Sequence, residues 1–260
     1  MTSAGAFQPN PEMFDRIYRG EPTFDGAPPP TGIPWDVGQA QPPLMELEAL
    51  GGISGEVLDI GCGLGDNAIF LASRGYSVTA LDGSAEAIER ASRRAEEAGV
   101  RVTFGIADAT NLTGYDGRFD TVVDSALYHC LDDGGRRSYA AGLHRATKPG
   151  ARWHLFCFSD ASVNGLLAPR PVTEDNIRET LTSSGWRIDF LGHTTYLANT
   201  SSFAGDRHNL PEQLRQQMPP DQLERMQAMA KRWAAILPVL DGDRVHLPIW
   251  VVHTTRVEQP

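Results

Sequence analysis

Cysteine is scarce in this chain. Cys62, Cys130 and Cys157 are its 3 thiols in 260 residues. An odd number at wide spacing, with no Cys-x-x-Cys pair, excludes a disulfide framework and leaves reduced thiols. Positive charge is scarce too: 23 Lys and Arg face 33 Asp and Glu, a formal net charge of −10. A protein that grips nucleic acid needs a basic surface to displace counterions, and no Lys/Arg run is present. The pairs Arg93-Arg94, Arg136-Arg137 and Lys231-Arg232 read as solvated helix faces. No apolar run approaches the roughly 18 residues of a membrane helix. The N-terminus MTSAGAFQPN lacks the basic and apolar regions of a signal peptide. A cytoplasmic protein that binds neither nucleic acid nor membrane is expected. Repeats and low-complexity tracts are absent, and the histidines show no metal-ligand spacing, so no metal is expected.

Apolar residues are not scarce, at 41%, and their pattern alternates between short apolar runs and amphipathic stretches from residue 55 onward. EVLDI, SVTAL, RVTFGIA, FDTVVDSAL, RWHLFCF and WRIDFLGHTTY read as strands. Between them lie helical stretches. Asp66 is a possible cap for one that stops at Gly75; Ser84 begins another that ends at Gly99. A third covers roughly 134–147, and Thr173 caps a fourth that stops at Gly185. Strand–helix alternation implies parallel strands with right-handed crossovers. The last strand, LPIWVVH, follows an excursion over 197–246. That excursion holds one helix: Asp221 and Glu224 have capping-box spacing, and Leu223, Met226, Ala230, Trp233 and Leu237 recur at steps of three and four. Pro238 ends it.

Residues 1–50 differ. Seven prolines lie between Pro22 and Pro43, which rules out regular helix or a central strand there. Short helices are expected around Phe14, Ile17 and Tyr18 and in PLMELEAL. Trp35, amid the prolines, needs a surface to pack on, so the segment reads as a folded-over flap on a domain covering 51–260.

The most informative stretch is Asp59-Ile60-Gly61-Cys62-Gly63-Leu64-Gly65, which follows a strand and precedes a helix. Its glycines allow a tight turn and close approach of a ligand. Asp82 ends the next strand about 20 residues on, where a carboxylate accepts ribose hydroxyls. The spacing is G-x-G-x-G rather than the dinucleotide G-x-G-x-x-G, and Asp66 puts negative charge where a pyrophosphate would sit. The ligand therefore carries no phosphate. Asp59, near the bend, suits an ammonium group.

The succession VLDIGCGLG, VTALD, IADAT and FDTVVDSALYH resembles that of class I S-adenosylmethionine-dependent methyltransferases. The resemblance implies an α/β, Rossmann-like, doubly wound sheet of seven strands, mostly parallel with an antiparallel last strand. It implies S-adenosylmethionine as cofactor. The methionine part would fall on Asp59, Gly61 and Gly63, and ribose on Asp82 with Gly83 beside it. Adenine would fall on Asp108 and Ala109, and the methionine side would be lined by Asp124, Ser125 and Ala126. GIPWDVGQAQPPL is similar to a segment of thiopurine, thiol and tellurite-resistance-type methyltransferases and of actinobacterial methyltransferases of quinones and heterocyclic toxins. There Trp35 would close on the cofactor, and the acceptor would be a small aromatic or heterocyclic molecule methylated at O, S or N.

His129 and Tyr128 follow the fourth strand, on the ligand side of such a sheet. Both are catalytic candidates: His129 reads either as a base with a pKa near neutrality or as a packing histidine, and Tyr128 as a pocket wall sooner than a base. His193 and Tyr196 are weaker pocket candidates. His154 reads as structural, Asp120 as a solvated turn residue, Cys62 as a small turn residue, and Cys130 and Cys157 as buried. Met226, Met229 and Trp233 read as core before pocket. The competing functions are a nicotinamide-dependent oxidoreductase on a similar sheet and a non-catalytic cofactor-binding module.

Overall fold

Glu56–Ile60 forms β1, buried on both faces, as the continuous apolar run requires of a central parallel strand. The computed structural model describes residues 9–22, 29–163, 165–168, 170–200, 220–240 and 242–258. Before β1 come α1 (Pro11–Arg19) and α2 (Pro42–Ala49). After it run α3 (Asp66–Ser73), β2 (Ser77–Asp82), α4 (Ala85–Glu97), β3 (Thr103–Ile106), β4 (Phe119–Ser125), α5 (Asp133–Ala146) and β5 (Thr147–Phe158). A two-residue hairpin of β6 (Ser162–Val163) and β7 (Leu166–Leu167) follows, then α6 (Glu174–Ser183), β8 (Trp186–Asn199), α7 (Pro220–Ile236) and β9 (Arg244–Arg256).

The main sheet has 7 strands in the order β3-β2-β1-β4-β5-β9-β8. The β1–β2, β1–β4, β2–β3 and β4–β5 pairs are parallel, and β9 is antiparallel to both β5 and β8. This is the expected doubly wound sheet with its antiparallel last strand. The chain reverses direction outward from β1, so the strand C-termini of β1, β2 and β4 open a crevice at the switch point. The last two strands are longer than their apolar runs suggest. They pair from Trp186 opposite Arg256 to Asn199 opposite Arg244, so polar Asn199 and Arg244 belong to strands although neither is apolar.

Local capping follows the sequence closely. The Ser84 hydroxyl accepts the Ala87 amide at 3.1 Å, and Thr173 accepts the Asn176 amide at 3.2 Å. Asp66 is the exception. Gly65, at φ 82°, occupies the cap position, and Asp66 is the first helical residue of α3. A Cβ on Gly65 would also come within 3.0 Å of the Ala91 methyl, so the turn into α3 accepts only glycine. Asp120 is likewise no solvated turn residue. It lies in β4, accepts the Glu56 amide at 2.9 Å and pairs with Lys148 at 2.6 Å, which sets the start of β1. The capping role expected of Asp221 lies outside the described side chains.

Two apolar layers flank the sheet. Tyr139, Leu143, Ile177 and Leu181 of α5 and α6 pack with Trp153 on one face. Leu44, Leu71 and Trp233 of α2, α3 and α7 pack with Phe156 on the other. A third cluster, Tyr18, Ile33, Leu64 and Ala87, joins the N-terminal segment to α4. Trp153 is fully buried, and its rings meet Tyr139 at 5.5 Å and Trp186 at 5.3 Å. Its indole N–H has no acceptor. Trp153→Ala is therefore expected to cost about 3–5 kcal/mol in chemical denaturation. Trp153→Phe should cost clearly less, because it also removes an orphaned donor. Equal losses for the two would contradict this packing.

Candidate functional site

The turn after β1 is held by its own amides. Gly61 and Cys62 donate to the Leu81 carbonyl at 2.8 and 3.0 Å, and Gly65 donates to the Cys62 carbonyl at 2.9 Å. The Gly63 amide donates to Asp82 Oδ2 at 2.9 Å, and Asp82 Oδ1 accepts the Ser84 amide at 2.9 Å. A pyrophosphate needs such amides free; here they are spent inside the turn. This is a stronger reason than the Asp66 charge to expect a ligand without phosphate, since Arg94 lies 3.2 Å from Asp66 and offsets it.

Acids gather under this turn. Asp59 is 1% exposed, and its Oδ2 has no hydrogen-bond partner. Burial, aided by the charges of Asp124, Asp82 and Asp66, pushes its pKa up to about 7. Burial, with a smaller contribution from the Asp15 charge, raises Asp82 against three backbone amides that oppose it. An unpaired buried carboxylate is costly unless a cation approaches it. The donor set therefore fits a ligand bearing an ammonium and a sulfonium, as the sequence resemblance implies.

Asp124 has a different role from the one expected. β4 alternates faces, and this side chain turns toward α5. Its Oδ1 accepts the Leu127 amide at 2.9 Å, and its Oδ2 accepts the Tyr139 hydroxyl at 2.9 Å. Fully buried, with a pKa raised to about 7 by burial, it shapes the turn after β4 and does not face the crevice. Ser125 and Ala126 do. Ala126 holds φ 81°, a strained conformation for alanine that ends the strand abruptly at the cavity.

The crevice contains a cavity of about 450 Å³. Gly61, Asp82, Gly83, Asp108, Ala109 and Ser125 line it, while Asp59 and Asp124 do not. Trp35 lines it from the N-terminal segment, together with Pro11, Phe14 and Tyr18. This segment is fastened by several contacts. Trp35 Nε1 donates to the Tyr18 hydroxyl at 2.9 Å, and the Phe14 ring stands edge-on to it at 5.7 Å. Asp15 accepts the Ser84 hydroxyl at 2.6 Å, and Arg94 grips Asp36 at 2.9 Å. A Cβ on Gly63 would lie 2.9 Å from the Tyr18 hydroxyl, so the segment seats directly on the glycine turn. A smaller cavity of about 40 Å³ adjoins, lined by Gly63, Gln39, Gln41 and Asn67.

The expectation of a near-neutral base at His129 is corrected. The ring is buried and stacks on Phe158 at 3.9 Å. Burial, with the charges of Arg170 and Arg136, brings its pKa down to about 3. Tyr128 is not a pocket wall. It is fully buried in the α5–α6 layer, its hydroxyl donating to Asn176 Oδ1 at 3.2 Å, and burial raises its pKa. Several cavity residues escaped the sequence reading. Leu127, Cys130, Leu131 and Phe158 line it, and Tyr196 does so more fully than expected. Met229 and Trp233 of α7 reach it, Trp233 while also packing as core; the Met226 side chain lies outside the described ones. His193 stacks on Trp250 instead. His154 is structural, its Nε2 donating to the Gly52 carbonyl at 3.1 Å.

A family model described as a methyltransferase domain matches residues 57–150. The chain is 39% identical over 194 residues to a 2-heptyl-1-hydroxyquinolin-4(1H)-one methyltransferase of Mycobacteroides abscessus, spanning 74% of this chain and 84% of that protein. A structure solved for the conversion of a disulfide bond into a thioacetal group during echinomycin biosynthesis superposes with a TM-score of 0.71 at 31% identity, covering 95% of this chain and 93% of that one. A S-adenosylmethionine-dependent methyltransferase of Methanosarcina mazei shares the fold, with a TM-score of 0.56 at 20% identity over 85% of this chain and all of that one. No helix among the described residues is long and apolar enough to cross a membrane.

The acid cluster has a measurable consequence. Asp59 and Asp124 have pKa values raised to about 7 in the folded protein. Folding therefore takes up protons, and the free protein should lose stability as pH rises from the ordinary carboxylate range toward about 7. A cationic ligand favours ionised Asp59. Its binding should release protons, and affinity should rise across roughly pH 6 to 8. Calorimetric titration with S-adenosylmethionine in buffers of different ionisation enthalpy reads this directly. Asp59→Asn should weaken binding and flatten its pH dependence; a flat profile in the wild type would contradict the assignment.

Proposed function

This chain belongs to the S-adenosylmethionine-dependent methyltransferases, and within that family we propose that it methylates an oxygen, sulfur or nitrogen of a small aromatic or heterocyclic molecule that ionises readily. The observation that carries this reading is the lining of the large cavity. Beyond the glycine turn it is aromatic and aliphatic, with Phe14, Leu131, Phe158, Met229 and Trp233, and includes no Lys or Arg among the described residues. Such a wall suits a flat apolar body and gives a phosphorylated acceptor no partner. The hydroxyquinolinone methyltransferase relative supports the same class, since its acceptor is a bicyclic heteroaromatic.

When bound, the cofactor supplies a methyl carbon activated by a positively charged sulfur. The chain's own residues place it. In this reading Asp82 accepts the ribose hydroxyls with the lone pairs its two amides leave free. Asp59 answers the ammonium, and Asp108 and Ala109 border the adenine. Gly61, Gly63 and Gly83 admit the ligand, with Ser125 beside the methionine part. Trp35 and the rest of the N-terminal segment shut out water, and α7 closes the acceptor side. Holding nucleophile and methyl in line supplies most of what the protein must contribute.

Proton removal points to the acceptor's identity. Near the cavity, His129 has a pKa of about 3, and burial pushes the Cys130 thiol up to about 12. Burial raises the Tyr196 phenol as well. None of these is a base matched to neutral pH. With Asp82 and Asp108 assigned to the cofactor in this reading, no group among the described residues is left to take the proton, and the acceptor is one that loses it unaided, as a phenol, thiol or N-hydroxy heterocycle does and an aliphatic alcohol does not.

A panel of phenols and thiophenols of graded acidity tests this at saturating cofactor, with S-adenosylhomocysteine formation as the readout. The midpoint of kcat/KM against pH should follow each acceptor's own pKa, and benzyl alcohol should be inert. One midpoint shared by all acceptors would point to an enzymic base and contradict the reading. Cofactor binding without turnover on any acceptor would favour the non-catalytic module.

A further inference from the structure

The ring of His129 is held more firmly than a packing residue requires. It leaves the short turn Tyr128–Cys130 after β4 and lies flat on Phe158, with centroids 3.9 Å apart and planes 19° from parallel. Its Nδ1 accepts the Phe158 backbone amide at 3.3 Å. A neutral imidazole that accepts at one nitrogen carries its proton on the other, so the tautomer is fixed with N–H at Nε2. The residue also lines the cavity with Leu127 and Cys130, on the turn that follows Ser125 at the end of β4.

The groups facing His129 reinforce this. Arg136 of α5 and Arg170, just ahead of α6, both act on it electrostatically. They also reach the neighbouring Cys130, where Asp124 below and Asp82 oppose them. The guanidiniums do not line the cavity, Arg136 is paired with Asp133 at 3.2 Å, and Asp124 and Asp82 oppose both arginines at Cys130, so what the wall presents to the cavity is the His129 donor. The same burial and the same two charges keep the imidazole neutral, so its donor persists at any pH at which the protein works.

We propose that His129 Nε2–H is a hydrogen-bond donor to the ionised heteroatom, or to a conjugated oxygen, of the methyl acceptor, and that it selects acceptors that bind as delocalised anions. The inference rests on the aromatic-acceptor reading above and deepens it. The donor holds the anion in line while leaving a lone pair for the methyl carbon. No proton passes through the histidine: the acceptor leaves its proton in water before it binds. The wall thus discriminates against neutral thioethers, amines and alcohols, which bring no negative charge to it.

The test uses the full-length enzyme loaded with S-adenosylhomocysteine and 4-nitrophenol as probe, whose ionisation is visible in its absorbance. Bound to the wild type, the probe should ionise at a pH lower by about one unit than in water, a tenfold preference for the anion. His129→Phe keeps the stack on Phe158 but removes the donor; it should abolish that shift and raise KM for the anionic acceptor at least tenfold. His129→Gln, which restores an amide donor and an acceptor for the Phe158 amide, should recover part of both. Unchanged affinity for S-adenosylhomocysteine in the two variants shows that the fold is intact. An equal shift in wild type and His129→Phe, or a probe that ionises at higher pH when bound, overturns the role of His129 alone. Failure of the wild-type complex to bind the probe at all overturns the aromatic-acceptor reading on which it rests.

Discussion

A buried carboxylate with one oxygen left unpartnered organises this molecule. Asp59 closes against the sheet with one oxygen unsatisfied, and Asp82 and Asp124 lie near enough to hold it partly protonated. A core of this size tolerates such a group only if something cationic answers it during function. The glycine turn above is consistent with that demand. Its amides bond to Leu81, Cys62 and Asp82, so it is stiff and offers nothing to an anion. Negative field below and spent donors around it make the crevice complementary to the sulfonium and ammonium of the cofactor, and poorly matched to a dinucleotide.

The acceptor side is built on the opposite principle. There the walls come from parts of the chain distant in sequence: the N-terminal segment with Phe14 and Trp35, the turn after β4 with Leu127 and His129, and α7 with Met229 and Trp233. The N-terminal segment is tied to the central fold by ordinary means. Gln41 exchanges two hydrogen bonds with the Leu197 backbone at 3.0 and 2.9 Å, and the Asn199 amide donates to the Pro34 carbonyl at 2.6 Å. The extended β8–β9 ribbon is what brings those partners within reach. At the cavity β4 runs into Ala126, whose strained backbone leads into the turn that bears Leu127 and His129.

What the sequence made legible was whatever is local. The glycine turn, Asp82 twenty-odd residues on, and the caps at Ser84 and Thr173 each depend on a few neighbouring residues, and each stands where the pattern places it. Side-chain direction was less legible. Asp124 and Ser125 are adjacent, but strand alternation sends the first under α5 and only the second to the crevice. Tyr128 is turned into the core by the short helical turn that follows β4. The chemistry of His129 depends on Phe158, Arg136 and Arg170, none of them near it in sequence, so its histidine character alone suggested a base where the fold makes a neutral ring. Trp233 shows that one side chain of a helix can be core and pocket wall together, a choice that periodicity treats as exclusive.

In the proposed reading the crevice takes a cationic, phosphate-free adenosine ligand anchored on Asp82. The direct measurement is parallel calorimetric titration of wild type and Asp82→Ala with S-adenosylmethionine, S-adenosylhomocysteine and NAD. The account expects both sulfur ligands to bind the wild type with dissociation constants in the roughly micromolar range, to lose most of that affinity in the variant, and NAD to bind neither. Binding of NAD, or undiminished affinity for the sulfur ligands in Asp82→Ala, would contradict it.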